Sequence, residues 1–251
     1  MGELQYHIRC KPGDVGDVVL LPGDPGRVEP IARLLDSPRL IARNREYTTY
    51  TGTLDGRMVS VCSTGVGSPS TAIAVEELAA IGATTFIRVG TTGSIQSDVH
   101  FSDLVIATAA VRDEGTTPPY VPISYPAVAD FALVSAMVAE ARAANQRAHA
   151  GIVRSHDALY ADLHPARMPR REELEAALKV WHRARVLCND MESSTIFVIC
   201  ALRNLRGGSV LTVVNEPGEE GIDPARVSTL DLTPMFRVAL GAARQLAPLK
   251  V

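Results

Sequence analysis

Three glycine-rich segments follow short apolar runs in this chain: Pro22-Gly23-Asp24-Pro25-Gly26-Arg27, Ser63-Thr64-Gly65-Val66-Gly67 and Gly90-Thr91-Thr92-Gly93. Glycine after a strand lets backbone N–H groups approach an anion, and a following helix N-terminus adds a favourable field. None is a P-loop, because no Gly-Lys-Ser/Thr follows, and none is Gly-x-Gly-x-x-Gly. Each alone also reads as an ordinary left-handed turn. Together they carry more, since Arg27 ends the first and Arg88 precedes the third. Arg88 lies inside Phe86-Ile87-Arg88-Val89, where an unpaired guanidinium is costly to bury. It needs a carboxylate partner or a bound anion, and its planar fork suits phosphate. Glu192, in Asn189-Asp190-Met191-Glu192-Ser193 at the head of an apolar helix, reads in two ways. It is either a first-turn carboxylate stabilised by the helix dipole or an acceptor for sugar hydroxyls.

These residues must be positioned by short β-rich runs that alternate with amphipathic stretches, which predicts an α/β chain. Val18-Val19-Leu20-Leu21, ended by Pro22-Gly23, is patterned as a buried strand, and Val28, Ile31, Leu34 and Leu35 then follow helical spacing. Tyr47–Leu54 and Met58–Cys62 flank the hairpin signal Asp55-Gly56. Ser68-Pro69 opens a helix with Ser68 as cap, and Gly82 ends it. Further strands are expected at Phe86–Val89, Leu104–Val111, Gly151–Arg154 and Ser209–Val214. Helices are expected over Phe131–Ala144, Arg171–Arg183, Met191–Asn204 and Pro234–Leu246. Asp157–Arg171, rich in proline and charge, reads as a surface excursion over a site. With no linker, repeat or low-complexity tract, residues 1–251 read as one domain.

Composition narrows the function classes. Hydrophobic residues make up 46% and charged residues 21% of 251, which suits a packed core rather than disorder. A formal charge of −3 gives no general basic footprint for nucleic acid. Cys10, Cys62, Cys188 and Cys200 have neither zinc-type spacing nor a disulfide pattern, so reduced thiols in a cytoplasmic protein are expected. The longest apolar runs fall short of a membrane span, and the first residues lack the pattern of a signal peptide.

The ordered motifs point to a family. The chain resembles the type I nucleoside phosphorylases, and among them the uridine phosphorylases. The similarity rests on Leu21-Pro22-Gly23-Asp24-Pro25-Gly26-Arg27-Val28, Arg45-Glu46-Tyr47-Thr48-Thr49 and Val61-Cys62-Ser63-Thr64-Gly65-Val66-Gly67-Ser68-Pro69-Ser70-Thr71. It continues through Ala74-Val75-Glu76-Glu77-Leu78, Arg88-Val89-Gly90-Thr91-Thr92-Gly93-Ser94-Ile95-Gln96, Pro126-Ala127-Val128-Ala129-Asp130-Phe131 and Asp190-Met191-Glu192-Ser193. The resemblance implies a single α/β domain, a central mixed sheet partly closed as a distorted barrel with helices around it. It implies reversible phosphorolysis of a nucleoside to free base and pentose 1-phosphate, with inorganic phosphate as co-substrate and no required cofactor. Gly23, Arg27, Arg88 and Thr91 would bind phosphate, and Arg45 would reach it from a neighbouring subunit. His7 would extend across the interface to the ribose 5′-hydroxyl, while Met191 and Glu192 hold the sugar. Thr92, Gly93, Leu159, Leu163, Val214 and Glu216 would surround the base. Glu46, Val66 and Ser70 match a region that binds a monovalent cation, K+, between subunits. The family assembly is a hexamer of dimers, and shared sites require at least a dimer.

Two departures concern the base. Uridine phosphorylases read uracil with a Gln and an Arg after a Ser-x-Asp-x-Phe-Tyr-like segment. Here Ser155-His156-Asp157-Ala158-Leu159-Tyr160 is followed, in ungapped register, by Leu163 and Pro165 at those positions, and Leu159 replaces the stacking Phe. After Leu211-Thr212-Val213-Val214 the chain has Asn215-Glu216 rather than Asn-Arg. Purine members commonly place a carboxylate there, so Glu216 reads either as a proton-assisting group with a pKa raised by burial or as a solvated loop residue. A purine or modified nucleoside is thus the alternative to uridine. Two other classes stay open: a nucleoside hydrolase on the same scaffold, and a non-catalytic nucleoside-binding protein.

Overall fold

The computed structural model describes residues 3–219 and 221–249. β1 (Val18–Leu21) is buried along its whole length, as an unbroken apolar run requires. Val18 and Leu20 enter one hydrophobic core while Val19 and Leu21 enter another, so the sheet separates the two. A 3-10 turn (Pro25–Arg27) then leads into α1 (Val28–Ala32), and Asp24 caps that turn by accepting the Gly26 N–H at 2.8 Å. β2 (Asp36–Asn44), β3 (Tyr47–Leu54) and β4 (Arg57–Cys62) follow. β2 was not among the expected strands. It is mostly exposed, contains Pro38 and occupies the sheet edge, so only its pairing with β3 marks it as a strand.

α2 (Ser68–Ala80) starts where Ser68-Pro69 predicts, but its cap is Gly67 rather than Ser68; the Ser68 hydroxyl donates to the Met191 carbonyl instead. Then come β5 (Thr85–Ser94), β6 (Leu104–Asp113), β7 (Ala127–Val128), α3 (Phe131–Ala143) and β8 (Ala148–His156). α4 (Leu159–Leu163), a second 3-10 turn (Pro165–Arg167) and α5 (Arg171–Arg183) precede β9 (Cys188–Asp190). The chain ends with α6 (Ser193–Leu202), β10 (Arg206–Asn215), α7 (Pro224–Ser228) and α8 (Thr233–Gln245). β9 and α7 are too short to show a hydrophobic period, which is why no pattern announced them. The third glycine-rich segment is strand and not turn: β5 stays paired with parallel β10 from Thr85 to Gly93.

The strand order is β10-β6-β8-β9-β5-β1-β4-β3-β2, with β7 beside β6 and a further pairing of β10 with β5. That pairing closes β5, β10, β6, β8 and β9 into a ring, from which β1, β4, β3 and β2 extend as an arm. Parallel and antiparallel ladders mix around it. This is the expected α/β fold, a mixed sheet closed as a distorted barrel with helices around it. The four cysteines are buried free thiols; burial pushes Cys10 up to about 11 and Cys62 and Cys188 up to about 12, so they stay protonated. No helix among the described residues is long and apolar enough to cross a membrane.

Candidate active site

β5 changes partner halfway. Its first half pairs with β1, ending at Leu21 opposite Arg88, and its last residues pair with β9, beginning at Gly93 opposite Asn189. Between them the ladder on that side is open, and a cavity of about 670 Å3 lies there, lined by Gly23, Arg27, Arg88, Gly90, Thr91, Thr92, Gly93, Met191 and Glu192 among others. A crevice where neighbouring strands part is the usual place for a ligand in an α/β sheet.

Arg88 sits at the parting point. Its Nε donates to Asp190 Oδ2 at 2.9 Å, and its Nη2 lies 2.5 Å from Glu192 Oε2. Of the two partners left open by the sequence, the carboxylates are therefore present within the chain. Burial works against the Arg88 charge, but Glu192 and Asp190 outweigh it and hold the guanidinium above its ordinary value. Gly90 makes room for this arrangement, because a Cβ there would stand 2.8 Å from Arg88 Nη2. Asp190 is the hub: its Oδ1 accepts from Ser155 Oγ at 2.5 Å, and its Oδ2 also accepts from Ser193 N at 2.9 Å and Ser193 Oγ at 2.6 Å. The sequence placed Asp190 in a motif but gave it no task.

Met191 and Glu192 precede α6 rather than forming its first turn; Glu192 has φ −140° at the cap position and its side chain turns away from that helix. It faces the start of α2, where Glu192 Oε1 accepts the Gly67 N–H at 2.6 Å. Gly67 has φ +99°, a conformation that side chains resist, and this aims its N–H at the carboxylate. The α2 dipole favours the negative charge there. Oε2 has no hydrogen-bond donor although Glu192 is only 3% exposed; its approach to Arg88 is a charge contact out of line with the N–H. Burial raises the Glu192 carboxyl above its ordinary range, with Arg88 opposing and Asp190 adding to the rise.

Arg27 is less engaged. Among the described residues its only ion-pair contact is Asp24 at 3.9 Å, itself more than half exposed. Burial pulls the Arg27 guanidinium below its ordinary value, and the Arg88 charge adds to this. Two guanidinium groups on one cavity wall, one of them weakly compensated, make a setting that favours an anion.

The other end of the cavity is walled by Leu159 and Leu163 of α4, Leu178 and Lys179 of α5, Val214 near the end of β10, and Glu216 and Ile222 after it. The segment following Asp157 thus covers the cavity, while the contribution of α5 was not foreseen. Glu216 corrects an expectation. It accepts from the Phe101 N–H at 3.0 Å and from Arg226 Nη2 at 3.1 Å, and it lies 3.3 Å from His100 Nδ1. The Phe101 N–H, with His100 and Arg226, holds its carboxyl below the ordinary range rather than above it. It is partly exposed, so burial is not the larger influence.

His7 and Arg45 are not in this cavity. His7 Nδ1 lies 2.6 Å from Glu77 Oε1, and the ring packs edge-on against Tyr6. Arg45 is exposed, sits in the tight turn between β2 and β3 at φ +54°, and its guanidinium lies 5.9 Å from the Tyr6 ring centre. Both therefore share one outer surface around Tyr6. Glu46 and Ser70 meet over Gly65, whose Cβ would be 2.9 Å from Glu46 Cγ and 3.3 Å from Ser70 Oγ; Val66 beside them is 74% exposed and borders the cavity. Among the described residues no group of three or more His, Cys, Asp or Glu could hold a metal ion.

The chain is similar to known proteins along most of its length. The phosphorylase superfamily model matches residues 17–245. The chain is 42% identical to the uridine phosphorylase of Treponema pallidum, over 97% of this chain and 95% of that protein. It is 47% identical to the uridine phosphorylase of Thermococcus kodakarensis, over 87% of this chain and 81% of that one. It is also 39% identical to the guanosine phosphorylase of Halorubrum lacusprofundi, over 83% and 82% respectively.

Proposed function

The chain belongs to the phosphorylase superfamily and is an enzyme of the nucleoside phosphorylase type, and from that premise we propose that it cleaves a nucleoside with inorganic phosphate to free base and pentose 1-phosphate, reversibly. The observation that carries the reading is the meeting, in one cavity, of Arg27, Arg88 and a buried Glu192 oxygen that accepts no hydrogen bond among the described residues. Phosphate lies against Arg27 and Arg88 with Gly23 and Thr91, and Arg45 of the partner subunit completes its cradle. Glu192 Oε2 accepts from a ribose hydroxyl, Met191 packs on the sugar, and His7 of the partner subunit takes the 5′-hydroxyl. As the C1′–N bond lengthens, the sugar gains oxocarbenium character. A phosphate oxygen then bonds to C1′, and the base departs with the bonding pair and takes a proton. Fixed charge and positioning supply the rate.

Glu216 is no proton donor in this scheme, because its partners keep it ionised. Uracil is the first base to test, since uridine phosphorylases align with most of the chain, and an oxopurine is the second. The assembly is at least a dimer, with the family hexamer as its full form. Glu46, Ser70 and the Val66 carbonyl supply the hard oxygen donors that would hold K+ between subunits, where it would be structural. A turnover panel of uridine, thymidine, cytidine, inosine, guanosine and adenosine, with and without phosphate, tests the activity. Base release that requires phosphate and yields pentose 1-phosphate is expected; free pentose formed without phosphate, or no turnover at all, overturns it. Co-expressed Arg45→Ala and Arg88→Ala chains test the shared site: each is inactive alone, and mixed oligomers regain activity if Arg45 acts across the interface.

A further inference from the structure

The base end of the cavity contains a buried imidazole that the phosphorolysis scheme does not use. His156, the last residue of β8, is 3% exposed and lines the cavity, and among the described residues its ring makes no hydrogen bond; its nearest partner is Asp162 Oδ2, 3.6 Å from Nε2. The other buried polar side chains nearby are bonded: Thr92 to the Asn189 carbonyl, Ser94 to the Gln96 carbonyl, and Asn215 Nδ2 to the Gly221 carbonyl. A buried imidazole with a carboxylate near one nitrogen and no hydrogen bond at the other, facing a cavity, marks the place where a ligand supplies the bond.

Resting on the phosphorolysis reading, we propose that His156 determines base specificity by accepting a hydrogen bond from the ring N–H that uracil, hypoxanthine and guanine carry beside a carbonyl. Asp162 Oδ2 lies 3.6 Å from His156 Nε2, and the same oxygen receives Arg154, which stands two residues back on the same face of β8. A carboxylate on that side favours the tautomer with its proton on Nε2 and leaves Nδ1 as the acceptor. The charged groups around the ring are Asp162, Arg154, Asp113 and Asp190. Burial outweighs them and keeps the imidazole below its ordinary value, hence neutral at pH 7. Neutrality is what an acceptor needs, since imidazolium has only donors. Leu159 and Leu163 on the adjoining wall cannot take the base N–H, so discrimination at this position falls to His156.

Matched substrates test this: uridine against 3-methyluridine and inosine against 1-methylinosine, with the wild type, His156→Ala and His156→Gln. Wild type should favour the N–H member of its preferred pair by about 100-fold in kcat/KM, and His156→Ala should shrink that ratio to about tenfold or less. The glutamine variant, which keeps an acceptor, should recover part of the ratio, and KM for phosphate should not move. Calorimetric binding of the free bases and their N-methyl forms gives a readout independent of turnover. If no nucleoside is cleaved but base binding still depends on His156, the phosphorolysis reading falls and the base reader stands. An unchanged N–H to N-methyl ratio in a folded His156→Ala protein, in turnover or in binding, overturns the proposal.

Discussion

The two ends of the cavity are built from different material. At the phosphate end, the charged groups stand on β5, at the junction of β9 with α6, and against the start of α2. Arg88, Asp190, Glu192 and the Gly67 N–H form one bonded cluster there. At the base end the walls are α4, α5 and the loop after β10, which mix the aliphatic Leu159, Leu163, Leu178 and Ile222 with charged side chains such as Lys179 and Glu216. Groups that serve every substrate of a reaction must be held rigidly by the scaffold, whereas groups that choose among substrates can sit on connecting segments that change without loss of the fold. The contrast therefore separates what the reaction requires from what the substrate requires.

Removing Arg88 should break the phosphate end most completely. Arg88→Ala is expected to lower kcat/KM by about 1,000-fold. It should also destabilise the fold by about 3–5 kcal/mol, because Asp190 and Glu192 are left buried without their cation. Steady-state kinetics and denaturant unfolding measure both losses together. Arg27→Ala should separate them. With only a distant, half-exposed partner to lose, stability should move by less than about 1 kcal/mol. Its KM for phosphate should nevertheless rise about tenfold or more. Equal stability losses in the two variants would erase the distinction between a locked and a waiting arginine.

The base end should yield changes of preference rather than of rate or fold. Leu163→Gln, on the half-buried wall formed by α4, should shift the uridine-to-inosine ratio by about tenfold with phosphate KM unaltered. Glu216→Gln should have the smallest effect on turnover, within about threefold, where loss of a general acid would cost roughly 100-fold or more. Its effect on stability has a sign. A carboxyl held below its ordinary value contributes stability above the unfolded pKa of about 4.3, and that contribution disappears as pH falls through the lower folded value. Wild type should therefore melt above the variant at pH 7, with the gap closing in acid below about pH 4.

Sequence patterns disclosed the locked end better than the open one. Arg88 in an apolar run announced a buried charge needing compensation, because burial and patterning are local and period-bound. The identity of that compensation lay in Asp190, 102 residues away, and no local pattern could pair them. β5 looked like a strand that stops at Gly90, since glycine weakens a strand signal; only the partner β10 keeps it extended. Glu192 read as part of a helix because Met191 and the run Ile196–Leu202 are apolar, and its turn toward α2 depends on tertiary contact. Glu216 misled for the opposite reason. Its neighbours in sequence gave no sign that Phe101, His100 and Arg226 would gather around it. His156 stands at a variable position of the Ser-x-Asp-x-Phe-Tyr-like segment, and its significance appears only once the fold buries its ring against the cavity.

The parting of β1 and β9 along β5 also bears on the order of synthesis. Arg88 leaves the ribosome long before the residues that neutralise it, so a chain ending before β9 would have to bury a bare cation or leave β5 uncovered. The amino-terminal half should consequently remain incompletely packed until Asp190 and Glu192 emerge. Ring closure and assembly of the reaction centre then become a single late event, so that a molecule able to bind its anion is already one that has finished folding.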